Sequence, residues 1–207
     1  MRLCILSPEG GYLDFSDLNL IKSEDGGTLF SNYLILKKWV NEKMGCTIGH
    51  EISHGFDYIG SQIDAYGRFI CIFDEKSLET YLEKVGRVEA YYDSIEVLPG
   101  VYCEGKSLNA EAVADLTGME LVMEVAKEDS SFDYKVFYEN MADLYLQVLP
   151  SMVYLNLYLL IDSHPLSFLR VNVNAQMFDE FYDTYDVKEG DAMYLKKEER
   201  IHFFGNN

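Results

Sequence analysis

The sequence predicts an α+β fold, mainly α-helical with little sheet, in a single domain over residues 1–207. Three observations lead there. Apolar residues recur at three- and four-residue spacing in several separate stretches. The strand-like pieces between them are short and fenced by Gly, Asp and Pro. No internal repeat or low-complexity linker divides the 207 residues, a length suited to one well-formed core.

The segment from Leu6 to Phe30 is rich in Gly, Ser and Asp and reads as turns around short extended pieces such as Tyr12–Phe15. A helix can start near Thr28 or Ser31, with Leu34, Ile35, Trp39, Val40 and Met44 at helical spacing; Gly45 either breaks it or is absorbed. The helical run through His50 is expected to end near His54-Gly55, with Gly55 in a left-handed position. Residues 57–73 read as a looped strand or hairpin. Asp74 is placed to cap a helix running to about Ser94, with Leu78, Leu82, Val85 and Val88 on its apolar stripe. Pro99, Gly100 and Gly105 punctuate the next connection. Further helices are expected over about Asn109–Lys127, Phe132–Leu149 and Gln176–Tyr185, with a helical turn at Met152–Ile161 after Pro150.

An apolar fraction of 48% with 25% charged residues belongs to a globular chain. Lys and Arg number 17 against 35 Asp and Glu, a net charge of −18. Such a surface repels phosphate backbones and anionic membrane faces, and it attracts cationic peptides. No apolar run is long enough to span a bilayer, and Leu3–Leu6 is too short for a signal-peptide core. Cys4, Cys46, Cys71 and Cys103 are scattered without a C-x-x-C pair, which fits reduced thiols. A soluble, cytoplasmic chain is the expectation.

The stretch Cys46–Asp64 contains His50-Glu51-Ile52-Ser53-His54, an H-E-x-x-H motif in a helix-compatible run. Side chains four apart share a helix face, so His50 and His54 can offer two imidazole nitrogens to one Zn²⁺, with Glu51 beside them. The motif by itself leaves open an exposed helix that happens to carry two histidines. A catalytic zinc takes three protein ligands and keeps a position open. The metzincin pattern would need Gly at 57 and His at 60, where this chain has Asp57 and Gly60. A Glu from a second helix is the alternative. Glu111 and Asp115, four apart, suit it: Glu111 as ligand, Asp115 as acceptor of a ligand histidine's N–H. A solvated acidic helix face would show the same spacing.

Four blocks occur together in order: IGHEISHGFD, GKSLNAEAVADL, DSHPLSFLRVN and FDEFYDTYDVKEGDAMYL. In this the chain resembles the C-terminal catalytic part of the neprilysin-like zinc endopeptidases, nearest to bacterial oligopeptidase members. The resemblance covers nearly all of the 207 residues. It implies a zincin fold of the gluzincin kind and an oligopeptide-hydrolysing enzyme with one Zn²⁺ per chain. His50, His54 and Glu111 match the zinc ligands, Glu51 the general base, and Asp115 the residue behind a ligand histidine. His164, in Asp162-Ser163-His164, matches a residue that holds the oxyanion of the tetrahedral intermediate, oriented by Asp162. Arg170 matches an arginine that binds a substrate carbonyl beyond the scissile bond.

The chain departs from the family at two places. Between Gly26–Asn32 and the H-E-x-x-H motif, family members carry an edge strand with an N-A-x-[FY] motif that pairs with substrate; here Lys37–Glu42 runs almost directly into Gly45. The family's large N-terminal helical domain has no counterpart, and Met1 corresponds to the middle of a longer chain. Before Glu111, Asn109-Ala110 stands where the family prefers Leu-Gly. Beside an active endopeptidase, two alternatives follow: a truncated, non-catalytic zinc-binding remnant, or a subunit that needs a separate N-terminal chain.

Overall fold

The computed structural model describes residues 42, 44–147 and 151–204. The extended pieces and helix start expected before residue 42 lie outside the described residues, as does nearly all of the stretch where the substrate strand would stand.

Residues 44–53 form helix α1, which absorbs Gly45 and buries Gly49, His50 and Ser53 while exposing Glu51 and Ile52. The helix tightens into a 3₁₀ turn at His54–Phe56. Gly55 is not left-handed, contrary to expectation. The chain is reversed instead by Asp57, whose Oδ1 accepts from the backbone N–H of Ile59 at 2.8 Å and Gly60 at 2.7 Å. Gly60 is the residue this turn requires to lack a side chain, since a Cβ there would stand 1.9 Å from the His54 carbonyl oxygen. Residues 57–73 then form a second 3₁₀ turn, Gly60–Gln62, and one bridge, Ile63 to Phe69.

Helix α2, Glu75–Asp93, begins where Asp74 accepts from the Ser77 N–H at 2.7 Å. Its buried stripe is Val85, Val88 and Tyr92, with Tyr81 packed alongside; Leu82 is 44% exposed and does not belong to it. Among the described residues the sheet is one short antiparallel hairpin, β1 (Glu96–Leu98) and β2 (Val101–Tyr102), turned at Gly100.

Helix α3 spans Gly105–Lys127, starting four residues earlier than the spacing suggests. The early start has a partner on another helix: the Asp93 carboxylate at the end of α2 accepts from the Gly105 N–H at 2.7 Å. Fourteen of its 23 residues are buried, Asp115, Thr117 and Glu120 among them, so α3 is the central helix. Around it lie α4 (Tyr134–Leu144, capped by Asp133), α5 (Met152–Ile161, capped by Ser151), α6 (Ser167–Gln176) and α7 (Asp179–Tyr185). Helix α4 is shorter than expected. In place of one Gln176–Tyr185 helix there are two helices broken at Met177-Phe178, and α6, which the sequence reading does not predict, carries Leu166, Leu169, Arg170 and Val173 at helical spacing. The C-terminal segment is tied back to α3 by the buried Glu120 carboxylate, which accepts from the N–H of Phe203 at 2.7 Å and of Phe204 at 3.0 Å. Among the described residues, no helix is long and apolar enough to cross a membrane.

Helices α1 and α3 meet at two glycines. A Cβ on Gly49 would lie 2.5 Å from the Gly118 carbonyl oxygen, and one on Gly118 would lie 2.4 Å from the His50 nitrogen. Backbone touches backbone there. Gly118→Ala should therefore lower stability by about 2–3 kcal/mol through overpacking, measured by urea denaturation. An unchanged midpoint would mean that the helices have room to separate.

Candidate metal centre

The crossing of α1 on α3 determines which side chains face each other. Glu111, Asp115 and Gly118 stand four and three residues apart on α3, so they share one face, and Gly118 holds α1 against that face at His50. His50 Nδ1 consequently lies 2.7 Å from Asp115 Oδ1, and His50 Nε2 lies 3.2 Å from Glu111 Oε2. One helical turn on, His54 Nε2 lies 3.0 Å from His50 Nε2 and 3.5 Å from Glu111 Oε2. The two rings meet edge-on.

His164, in the loop between α5 and α6, reaches the same carboxylate from the other side, with Nε2 3.1 Å from Glu111 Oε2. His50, Glu111 and His164 each bring one ligand atom within 4.8 Å of the other two. Two trios thus share His50 and Glu111, one completed by His54 and the other by His164.

Each histidine is backed by a carboxylate at Nδ1. Asp115 serves His50, Asp57 serves His54 at 2.7 Å, and Asp162 serves His164 at 2.8 Å. A carboxylate only accepts, so every Nδ1 must donate, and each neutral ring keeps its lone pair on Nε2. Those Nε2 atoms point at Glu111 Oε2, which is buried and makes no hydrogen bond of normal geometry. Convergent imidazole nitrogens around an unsatisfied carboxylate oxygen form a donor set suited to a borderline divalent ion. The spacings of 3.0, 3.2 and 3.5 Å among His50, His54 and Glu111 bracket the ~3.4 Å ligand separation that Zn–N bonds of ~2.05 Å impose in a tetrahedron.

Arg170 and Asp115 lock the base of the site. Arg170, 6% exposed, donates from Nε to Asp115 Oδ2 at 2.8 Å and from Nη2 to Oδ1 at 2.7 Å, while its guanidinium lies 4.5 Å from the Tyr145 ring centre. Burial works against the Asp115 charge, but Arg170 and His50 hold its carboxyl below the usual range. Burial also works against the Glu111 charge, and the His164 and His50 imidazoles hold that group well below its usual range. Glu111, then Asp162, lift His164 above an ordinary histidine against the effect of burial. His50 is disfavoured as a cation by burial, yet Asp115 and Glu111 raise it to about 9.

Seven of the eight residues singled out in the sequence contact one another at this centre; the eighth, Glu51, follows His50 on α1, is exposed and has no polar partner among the described residues. Asp57, the partner of His54, is not among the sequence expectations; its signal is the i, i+3 spacing from His54, masked by Gly55, which suits the turn that Asp57 makes. Cys46 precedes His50 by one turn and packs its thiol on the sulfurs of Met141 at 3.4 Å and Met119 at 3.6 Å. Burial pushes that thiol well up.

The model of peptidase family M13 matches residues 38–201. A neutral endopeptidase of Lactococcus lactis subsp. cremoris is 34% identical over 158 residues, which are 76% of this chain and 25% of that protein. A neutral endopeptidase of Lactobacillus helveticus is 32% identical over 159 residues, 76% and 24% respectively. The crystal structure of PepO from Lactobacillus rhamnosis HN001 superposes with a TM-score of 0.70 at 29% identity, covering 79% of this chain and 26% of that one. The Mycobacterium tuberculosis zinc metalloprotease Zmp1, in complex with inhibitor, shares the fold at a TM-score of 0.70 and 22% identity, covering 80% and 28%. The chain spans about a quarter of the length of the relatives it matches.

A folded-state pKa of about 9 for His50, raised from 6.5, means that its proton stabilises the metal-free fold fully below pH 6.5. That contribution is lost as the pH rises through about 9. In EDTA, the urea midpoint should therefore fall between pH 6.5 and 9.5. A flat profile would show that Asp115 and Glu111 do not stabilise a protonated ring.

Proposed function

Because this chain belongs to peptidase family M13, we propose that it supplies the catalytic centre of a zinc-dependent endopeptidase acting on oligopeptides. One Zn²⁺ per chain would be held by His50, His54 and Glu111. The observation that carries this is the convergence of imidazole Nε2 atoms on the orphaned Glu111 oxygen, each ring fixed from behind by an aspartate. His54 is preferred over His164 as third ligand because its spacings suit a tetrahedron and it stands one helical turn beyond His50, turned to the same side. His164 is 42% exposed at its side chain and better suited to meeting substrate.

Zinc, when bound, supplies Lewis-acid chemistry, activating water and polarising a carbonyl. Glu51, unpartnered and facing the open side of α1, takes the proton of the attacking water and returns it to the leaving amine. His164, protonated on both ring nitrogens, donates from Nδ1 to Asp162 and from Nε2 to the developing oxyanion, a contact worth about 3 kcal/mol in the barrier. Asp115 and Asp57 orient His50 and His54. Arg170 acts first by holding Asp115; the further role of binding a substrate carbonyl comes from the resemblance.

One observation favours a second reading. Beside the centre Ile52, Phe56, Tyr58 and Ile59 are exposed, Ile59 by 66%. Apolar surface of this kind suits a further polypeptide, which is the reading of the chain as a subunit completed by an N-terminal partner; a zinc-binding remnant without turnover is the other alternative.

Metal analysis and cleavage of an unstructured peptide separate these. The purified chain should bind one zinc and show chelator-sensitive hydrolysis. Glu51→Gln should keep the zinc and lose turnover by about 10²–10⁴-fold, whereas Glu111→Val should lose the zinc. Activity that appears only with an added N-terminal chain selects the subunit, and zinc without activity in any setting selects the remnant. Asp57→Ala should weaken zinc by about 10–100-fold in a competitive chelator titration. Full-strength binding in that variant would remove Asp57 from the site.

A further inference from the structure

A second concave site lies between α2, the Val113 and Thr117 side of α3 and the C-terminal segment, with Phe56 from the turn after α1 at its edge. Its volume is about 400 Å³, within the range of small-molecule pockets. Phe56, Phe73, Tyr81, Phe203 and Phe204 line it. Phe73 stacks on Tyr81 at 5.1 Å, and Tyr81 tilts against Phe203 at 5.8 Å. From α2 the cavity receives Lys76, Thr80 and Lys84, spaced i, i+4, i+8 on one helical stripe. Glu75, Glu79 and Glu83 occupy the adjoining stripe, turned about 100° round the helix.

The charge distribution is what points to a ligand. Asp and Glu outnumber Lys and Arg 35 to 17 in the chain, yet no acidic residue lines this cavity and two lysines do. Lys84 donates to the Phe203 carbonyl at 3.0 Å, which fixes its ammonium at the cavity. The Lys76 ammonium has no partner among the described residues. In the larger cavity beside Arg200, by contrast, Lys127, Lys197 and Arg200 are all paired with acids. An aromatic wall with cationic groups at one edge matches an amphipathic anion.

We infer that this cavity binds a small monocarboxylic acid with an aromatic or alkyl tail, the tail among the phenylalanines and the carboxylate at Lys76 and Lys84. This site is separate from the proposed zinc centre, and its test reads binding rather than hydrolysis.

Isothermal titration of the full chain with 4-phenylbutyrate and with its uncharged analogue 4-phenylbutyramide tests it. A ligand of about a dozen non-hydrogen atoms at ordinary efficiency should bind with a Kd of the order of 1 mM. The amide should bind at least about fivefold more weakly, since it cannot pair with an ammonium. Lys76→Gln, an exposed change on a helix surface, should weaken the acid about threefold or more and leave the amide unchanged, with helicity checked by circular dichroism. Equal binding of acid and amide would reduce the site to an apolar cavity and overturn the proposal. So would acid binding indifferent to Lys76→Gln, which would point to the metal centre, or no saturable binding up to ~10 mM.

Discussion

The contact of Gly49 with Gly118 is where two helices come so close that neither residue can carry a side chain. Glycine inside a helix costs about 1 kcal/mol against alanine, and both helices accept that cost at the same spot. The close approach carries His50 down onto the α3 face that bears Glu111 and Asp115. A wider separation would lengthen the His50–Asp115 and His50–Glu111 contacts together, because both run from one ring to one helix face. The proposed ion site is therefore a consequence of backbone geometry before it is a matter of ligand identity.

Electrostatics then fix the rings within that frame. Asp115 is buried between His50 and Arg170, and a buried carboxylate without such partners would be strongly destabilising. The bidentate Arg170 pair satisfies it on one side and leaves its other contact for imidazole. Asp57 repeats the arrangement on a smaller scale: one oxygen closes the turn after α1 and the other holds His54. A single residue thus makes the local fold and the ligand orientation inseparable.

Much of the site was legible in sequence because helical spacing is local. His50 and His54 turn to one side across the end of α1 and the 3₁₀ turn that continues it, Glu111 and Asp115 share one face of α3, and Asp162 lies within two residues of the ring it holds. What sequence did not reveal depends on contacts across the fold. Nothing in the local pattern pairs Gly49 with Gly118, 69 positions away, or marks Arg170 as the buried partner of Asp115. Gly55 misled because the turn after α1 is made by an aspartate side chain, not by a left-handed glycine. Helix α6 hid behind Pro165 and the preceding loop, and the early start of α3 depends on a cap donated by α2.

Zinc-edge X-ray absorption on the wild-type chain loaded with one equivalent of Zn²⁺ addresses the ligand set most directly. Coordination by His50, His54 and Glu111 gives two imidazole nitrogens with carboxylate and solvent oxygens near ~2.0–2.1 Å and no sulfur shell. A sulfur shell near ~2.3 Å, or oxygen scattering without imidazole, would contradict it.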